Sequence, residues 1–133
     1  MSLNEVLQLI ARLLLSVFFI MSGTRHLTGT KAMAQYAAAA GKIPAPAAAV
    51  VVSGLMLLAG GLALLLGVHP RIGAGLIFIF VVIAAFTMHA YWRETDPMQK
   101  AGQQAHFWKN IALAGAMLFI IANTGWPWPL ALG

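Results

Sequence analysis

Four apolar runs, at about residues 7–24, 47–67, 72–92 and 107–124, follow one another with only short polar breaks between them. A helix crosses the hydrocarbon of a bilayer in about 20 residues, so each run is long enough to span it once. The expectation is an all-α integral membrane protein, a four-helix transmembrane bundle forming a single domain over 1–133. Composition agrees: 61% of residues are hydrophobic and 8% charged, against roughly 25% charged in soluble domains. The opening "MSLNEVLQLIAR" has no basic stretch of the kind that starts a secretory signal, so the first run reads as a retained span behind a short interfacial helix.

The net charge of +5 is carried by the breaks between spans and bears on orientation, not on nucleic acid, for which no role is expected. Arg25, Lys31, Lys42, Arg93, Lys100 and Lys109 belong to one side of the membrane, and Arg71 and Arg12 to the other. By the positive-inside rule, loops 25–46 and 93–106 face the cytoplasm and both termini face outward. The absence of cysteine excludes thiol–disulfide exchange and thiolate-held clusters, so any redox chemistry needs a bound cofactor.

The breaks are themselves patterned. "KAMAQYAAAAGKIPAP" predicts a short helix that ends at Gly41 and is followed by two helix-breaking prolines. In "GVHPRIG", Gly67 ends one span and Pro70 opens the next, which predicts an antiparallel hairpin. Ser53, Gly54, Gly60 and Gly61 make the second span narrow enough for a neighbour to approach closely. Trp126 and Trp128 in the tail suit a water interface.

Polar residues recur at helical spacing. Arg12, Ser16, Phe19, Gly23 and His26 fall at offsets 0, 4, 7, 11 and 14, and His106, Lys109, Asn110 and Leu113 at 0, 3, 4 and 7. His89 and Trp92 are spaced i and i+3 at the end of the third span. With these stripes turned inward, His26, His89, His106, Lys109 and Asn110 converge in a polar cup at one leaflet, closed by Tyr36. Ionisable groups at membrane depth normally face the bundle interior and mark ligand or proton paths.

Each residue also has a plainer reading. Arg12 offers a fixed fork of donors to a ligand oxygen, or snorkels to the N-terminal interface with Glu5 as its partner. His89 and His106 exchange protons with a quinone, or hydrogen-bond across helix ends. Lys109 faces a ligand, or reaches to the headgroups. Haem or metal is disfavoured for lack of cysteine or buried carboxylates to complete a ligand set.

The segments "ARLLLSVFFIMSGTRHL", "VSGLMLLAGGLALLLGVHPRIGA", "FTMHAYW" and "HFWKNIALAG", in this order, resemble the DoxX family of small four-span bacterial membrane proteins. The resemblance makes Arg12, Ser22, Gly23, Gly60, Gly61, Pro70, His89, Trp92, Lys109 and Asn110 the characteristic positions. This chain departs from it in two places: "MLLAGG" lacks the acidic residue that many relatives carry before the glycine pair, and no lysine follows the Ser-Gly of the first span. The resemblance implies a protein of the bacterial inner membrane, and for some members a place in a thiosulfate:quinone oxidoreductase or in complexes handling oxidative stress.

The expected function is a membrane subunit of an oxidoreductase system that binds a quinone or similar apolar redox molecule. His89 and His106 are its expected catalytic residues, and Arg12, Gly23, His26, Trp92, Lys109 and Asn110 its ligand-binding ones. Electrons come from a protein partner, since no Gly-rich dinucleotide motif is present. A membrane complex or a homo-oligomer is therefore expected. The alternative is a non-enzymatic scaffold or maturation factor for another membrane or exported protein. A transporter is a weaker third, since a short bundle without an internal repeat is poor material for one.

Overall fold

A computed structural model describes residues 1–133 and consists of five helices: α1 (Leu3–Thr28), α2 (Thr30–Ala40), α3 (Pro46–Leu66), α4 (Pro70–Thr87) and α5 (Pro97–Ala122). A short 3-10 turn, Tyr91–Arg93, stands between α4 and α5. Helices are what lipid demands, because every backbone polar group must find its partner within the segment. The protein is an all-α membrane bundle with four helices long and apolar enough to cross.

Two helix starts lie earlier than the apolar runs indicate, and both are set by caps. Ser2 and Glu5 form a reciprocal capping box, with the Ser2 amide donating to the Glu5 carboxylate at 2.7 Å. The polar N-terminal stretch is thus the first turn of α1, not a separate interfacial helix, and Glu5 is held at Ser2 instead of reaching for Arg12. Asp96 accepts from the Gln99 amide at 3.0 Å with Pro97 in the first helical position, so α5 starts ten residues before Phe107. Most of what reads as a third loop is helix.

The third span ends early. α4 stops at Thr87 although neither glycine nor proline marks the spot. An aromatic cluster of Phe86, Tyr91, Trp92 and Phe107 packs edge to face across the corner in place of further helix. His89 and Trp92 therefore do not share the last turn of a helix.

Helix α1 packs on α3, α3 on α4, and α4 on α5, while α2 lies against α3 at the end where α1 finishes. Glycines set the first two contacts. A methyl group on Gly23 would meet Leu58 N at 2.7 Å and Gly54 O at 2.8 Å, and one on Gly60 would meet Gly73 O at 2.8 Å. Backbone lies against backbone, the close approach that small residues allow where no hydrophobic effect drives helices together. Phe19, Leu57, Leu64, Ile77, Val81 and Met117 fill the interior, and Leu14, Val52, Leu55 and Ile83 face outward to the lipid. At the far end the tail folds back over the bundle, with Leu132 N bonded to Leu66 O at 2.9 Å.

Candidate functional site

At the end where α1 finishes, α1, α4 and α5 surround a cavity of about 160 Å3. Its polar lining comes from Ser22 and His26 of α1, His89 beyond α4, and Lys109 and Asn110 of α5; Phe18, Phe19 and Phe80 supply apolar walls. Four residues expected in the cup, His26, His89, Lys109 and Asn110, thus come together although they are far apart in sequence.

The two histidines present the same kind of nitrogen. The Ser53 hydroxyl donates to Val50 O at 3.0 Å, and His26 Nδ1 lies 2.8 Å from that hydroxyl oxygen and 3.3 Å from the same carbonyl. Both partners are available as acceptors, which assigns the proton to Nδ1 and leaves Nε2 to accept. The His26 ring stands edge-on to Phe80 at 5.5 Å. His89 Nδ1 meets Gln103 Oε1 at 2.7 Å, and the other end of that amide donates to Tyr36 Oη at 3.3 Å. An amide oxygen only accepts, so His89 is also protonated on Nδ1.

The remaining polar groups have no such partners. Asn110 is 6% exposed and lines the cavity, yet its amide enters no hydrogen bond within the protein. Ser22 Oγ and Lys109 Nζ are equally free of hydrogen bonds, the ammonium lying 5.6 Å from the centre of the Phe18 ring. Ser16 Oγ is the one fully buried side-chain polar atom without a partner; the Asn110 amide opens on the cavity and is free to bond what enters it. The cavity thus offers an amide, a hydroxyl and an ammonium beside two imidazole acceptors.

The other expected residues lie elsewhere. His106 stands on the outer side, its ring 5.1 Å from that of His89, and lines a shallow vestibule with Tyr36, Glu94, Gln99 and Gln103. Trp92 is half exposed in the corner cluster and does not reach the cavity. Gly23 faces α3. Arg12 sits about 21 Å along α1 from His26, donating to Leu64 O at 3.1 Å and to the carbonyls of Leu65 and Pro129, with Trp128 stacked at 5.3 Å. Its guanidinium caps the end of α3 and pins the tail. No three side chains of His, Cys, Asp or Glu type meet anywhere.

Sequence reading missed Phe80 and Gln103. Gln103 was within reach: once Asp96-Pro97 is taken as a helix start, Gln103, Phe107 and Asn110 fall at offsets 0, 4 and 7 on one face. Phe80 carries no such signal, being one apolar residue among many on α4.

A family model described as DoxX matches residues 7–90. Over 122 residues, covering 92% of this chain and 85% of the relative, the sequence is 32% identical to "Inner membrane protein YphA" of Escherichia coli (strain K12). It is likewise 32% identical to "Inner membrane protein YqjF" of the same organism over 123 residues, 92% of this chain and 87% of that one. No solved structure matches.

Proposed function

The chain belongs to the DoxX family and is a multi-pass protein of the bacterial inner membrane, and from that premise we propose that its polar cavity binds the ring of a quinone for a membrane oxidoreductase complex. The observation that carries the reading is Asn110, a residue 6% exposed whose amide lines the cavity and has no hydrogen-bond partner in the protein. A cavity of about 150 Å3 takes one benzene ring, and this one measures about 160 Å3 with aromatic walls. Quinone oxygens only accept hydrogen bonds, and Asn110, Lys109 and Ser22 can supply them.

The imidazoles serve the other half of the reaction. Reduction of a quinone adds two electrons and two protons; oxidation of the quinol returns them. His26 and His89, each with Nε2 as acceptor, take the hydroxyl protons of a quinol and return them in the reverse direction. His106, beside His89 and open to the vestibule, passes protons to and from water. The electrons are exchanged with a partner dehydrogenase, because this chain contains no cysteine and no dinucleotide motif. With loops 25–46 and 93–106 in the cytoplasm, the cavity lies in the inner leaflet.

The test is to isolate the intact complex in mild detergent and identify its lipophilic contents and protein partners by mass spectrometry. Quinone should accompany the wild-type protein and be lost from Asn110→Leu, with a dehydrogenase present in both. Recovery of client membrane proteins without quinone sinks the proposal in favour of a scaffold.

A further inference from the structure

In the row α1–α3–α4–α5 each helix packs on the next, but α1 and α5, at its two ends, lack the close approach that the other neighbours make. The bundle is open along that side. Two cavities occupy the opening: the polar one, and a second of about 370 Å3 nearer the opposite face, lined by Leu7, Ala11 and Leu15 of α1 and Ala116, Phe119 and Ile120 of α5. Trp126 and Trp128 of the folded-back tail close its far end.

The two cavities are parts of one seam. On α1, Ala11, Leu15, Phe18 and Ser22 fall at offsets 0, 4, 7 and 11; on α5, Lys109, Leu113, Ala116 and Ile120 do the same. The helices run antiparallel, so Ser22 stands level with Lys109 and Ala11 with Ile120, over about 17 Å of helix. Polarity falls along the seam from an amide, a hydroxyl and an ammonium at one end to mainly aliphatic and aromatic walls at the other, where Gln8 and Arg12, the latter already bonded to backbone carbonyls, are the polar lining residues. Lys109, reaching over Phe18, spans it near the polar end.

The two routes into the polar cavity differ in kind. Toward water, the hydrogen-bonded chain Tyr36–Gln103–His89 lies between the cavity and the vestibule. Toward lipid, no hydrogen-bonded chain crosses the seam, and the polar cavity is bounded there by the Lys109 side chain and the Phe18 ring beneath it. The polar end is ring-sized and holds a single cation, which suits a neutral ring better than a phosphate-bearing headgroup.

We infer that the ligand is a two-part amphiphile: its ring occupies the polar cavity and its apolar tail lies in the α1–α5 seam, entering sideways from the hydrocarbon. This rests on the quinone reading and adds where the tail lies and by which side it enters. Ala116 and Ala11 are small because the tail runs between them.

The experiment uses the protein in nanodiscs with two probes. One is a trimethylbenzoquinone bearing a decyl chain ended by a photoactivatable diazirine. The other is tetramethylbenzoquinone, which has no tail and no open ring carbon for Lys109 to attack. Irradiation of the first should label Leu7–Leu15 or Ala116–Trp128, and the second should displace that label by competing for the ring cavity. Ala116→Trp fills the seam and should cut labelling by about tenfold, the value of a few methylene contacts, while its affinity for tetramethylbenzoquinone stays unchanged and so reports a folded protein.

Seam labelling that the tailless quinone cannot displace identifies an ordinary lipid chain and overturns the inference. Binding of the tailless quinone with label scattered over outward residues such as Val52 and Ile83 overturns the seam and leaves the ring cavity standing. No binding of tetramethylbenzoquinone at all overturns both.

Discussion

At the scale of single residues, Arg12 and His89 make opposite use of hydrogen bonding. All of Arg12's charge-assisted bonds go to backbone carbonyls at the end of α3 and in the tail, which is helix capping by a cation near a C-terminus. Arg12→Lys keeps the charge but loses the fork, and should lower stability by about 2 to 3 kcal/mol, read as an earlier thermal unfolding midpoint in detergent with quinone content per folded molecule unchanged. A loss of quinone without loss of stability would instead make Arg12 a ligand residue. His89 has one nitrogen fixed on Gln103 and the other free to accept. His89→Asn can retain the bond to Gln103 while removing the proton acceptor. Quinone content should hold within about twofold while turnover in the intact complex falls by about a hundredfold or more, the usual worth of a general base. Equal loss of binding and turnover would assign His89 to binding alone.

At the scale of elements, the decisive contact is α1 on α3, where Gly23 and Gly54 meet. Gly23→Ala places a methyl group against Leu58 N and Gly54 O, which are backbone atoms that cannot rotate away. The helices must separate, at a cost of about 1 to 3 kcal/mol. Gly115→Ala, on α5 with nothing within 4 Å of the new methyl, is the matched control and should be neutral or slightly stabilising. Equal unfolding midpoints for the two variants would show that this contact is looser than described. Elements are also where the legibility of the sequence changes. The four spans and the hairpin at Gly67–Pro70 are readable because hydrophobic length and glycine–proline punctuation are local signals. The end of α4 at Thr87 is not, because it is imposed by Phe107, twenty residues downstream, packing on Phe86 and Tyr91. The same limit applies to the site. Helical spacing brings His26, Lys109 and Asn110 to one end of the bundle, but it cannot set helix rotation. Gly23 shares the stripe of His26 and turns to α3, and His106 shares that of Asn110 and turns to water. The positions misread are those whose direction depends on which neighbour a helix packs against.

At the scale of the whole molecule, the two ends of the bundle are built for different tasks. The end carrying Arg12, Arg71 and the folded-back tail is tied to backbone: Arg71 Nε donates to Ile121 O at 2.8 Å, as Arg12 does to α3. These two cations are held at helix ends, whereas Arg25, Lys31, Lys42, Arg93 and Lys100 at the opposite end enter no salt bridge or hydrogen bond through their side chains and remain free to interact with anionic headgroups. That asymmetry predicts an orientation, since positive charge near short loops is retained in the cytoplasm. If the C-terminus lies outside, as the charge asymmetry predicts, alkaline phosphatase fused after Gly133 should be active and a fluorescent protein fused there dark; fusions after Lys42 should behave the opposite way. Were the C-terminal phosphatase inactive and the fluorescent protein bright, the polar cavity would belong to the outer leaflet, and its protons would exchange with the periplasm instead of the cytoplasm. The orientation therefore decides more than topology. With the proposed quinone in the cavity and with His106 and the vestibule facing inward, its reduction would draw its protons from the cytoplasm.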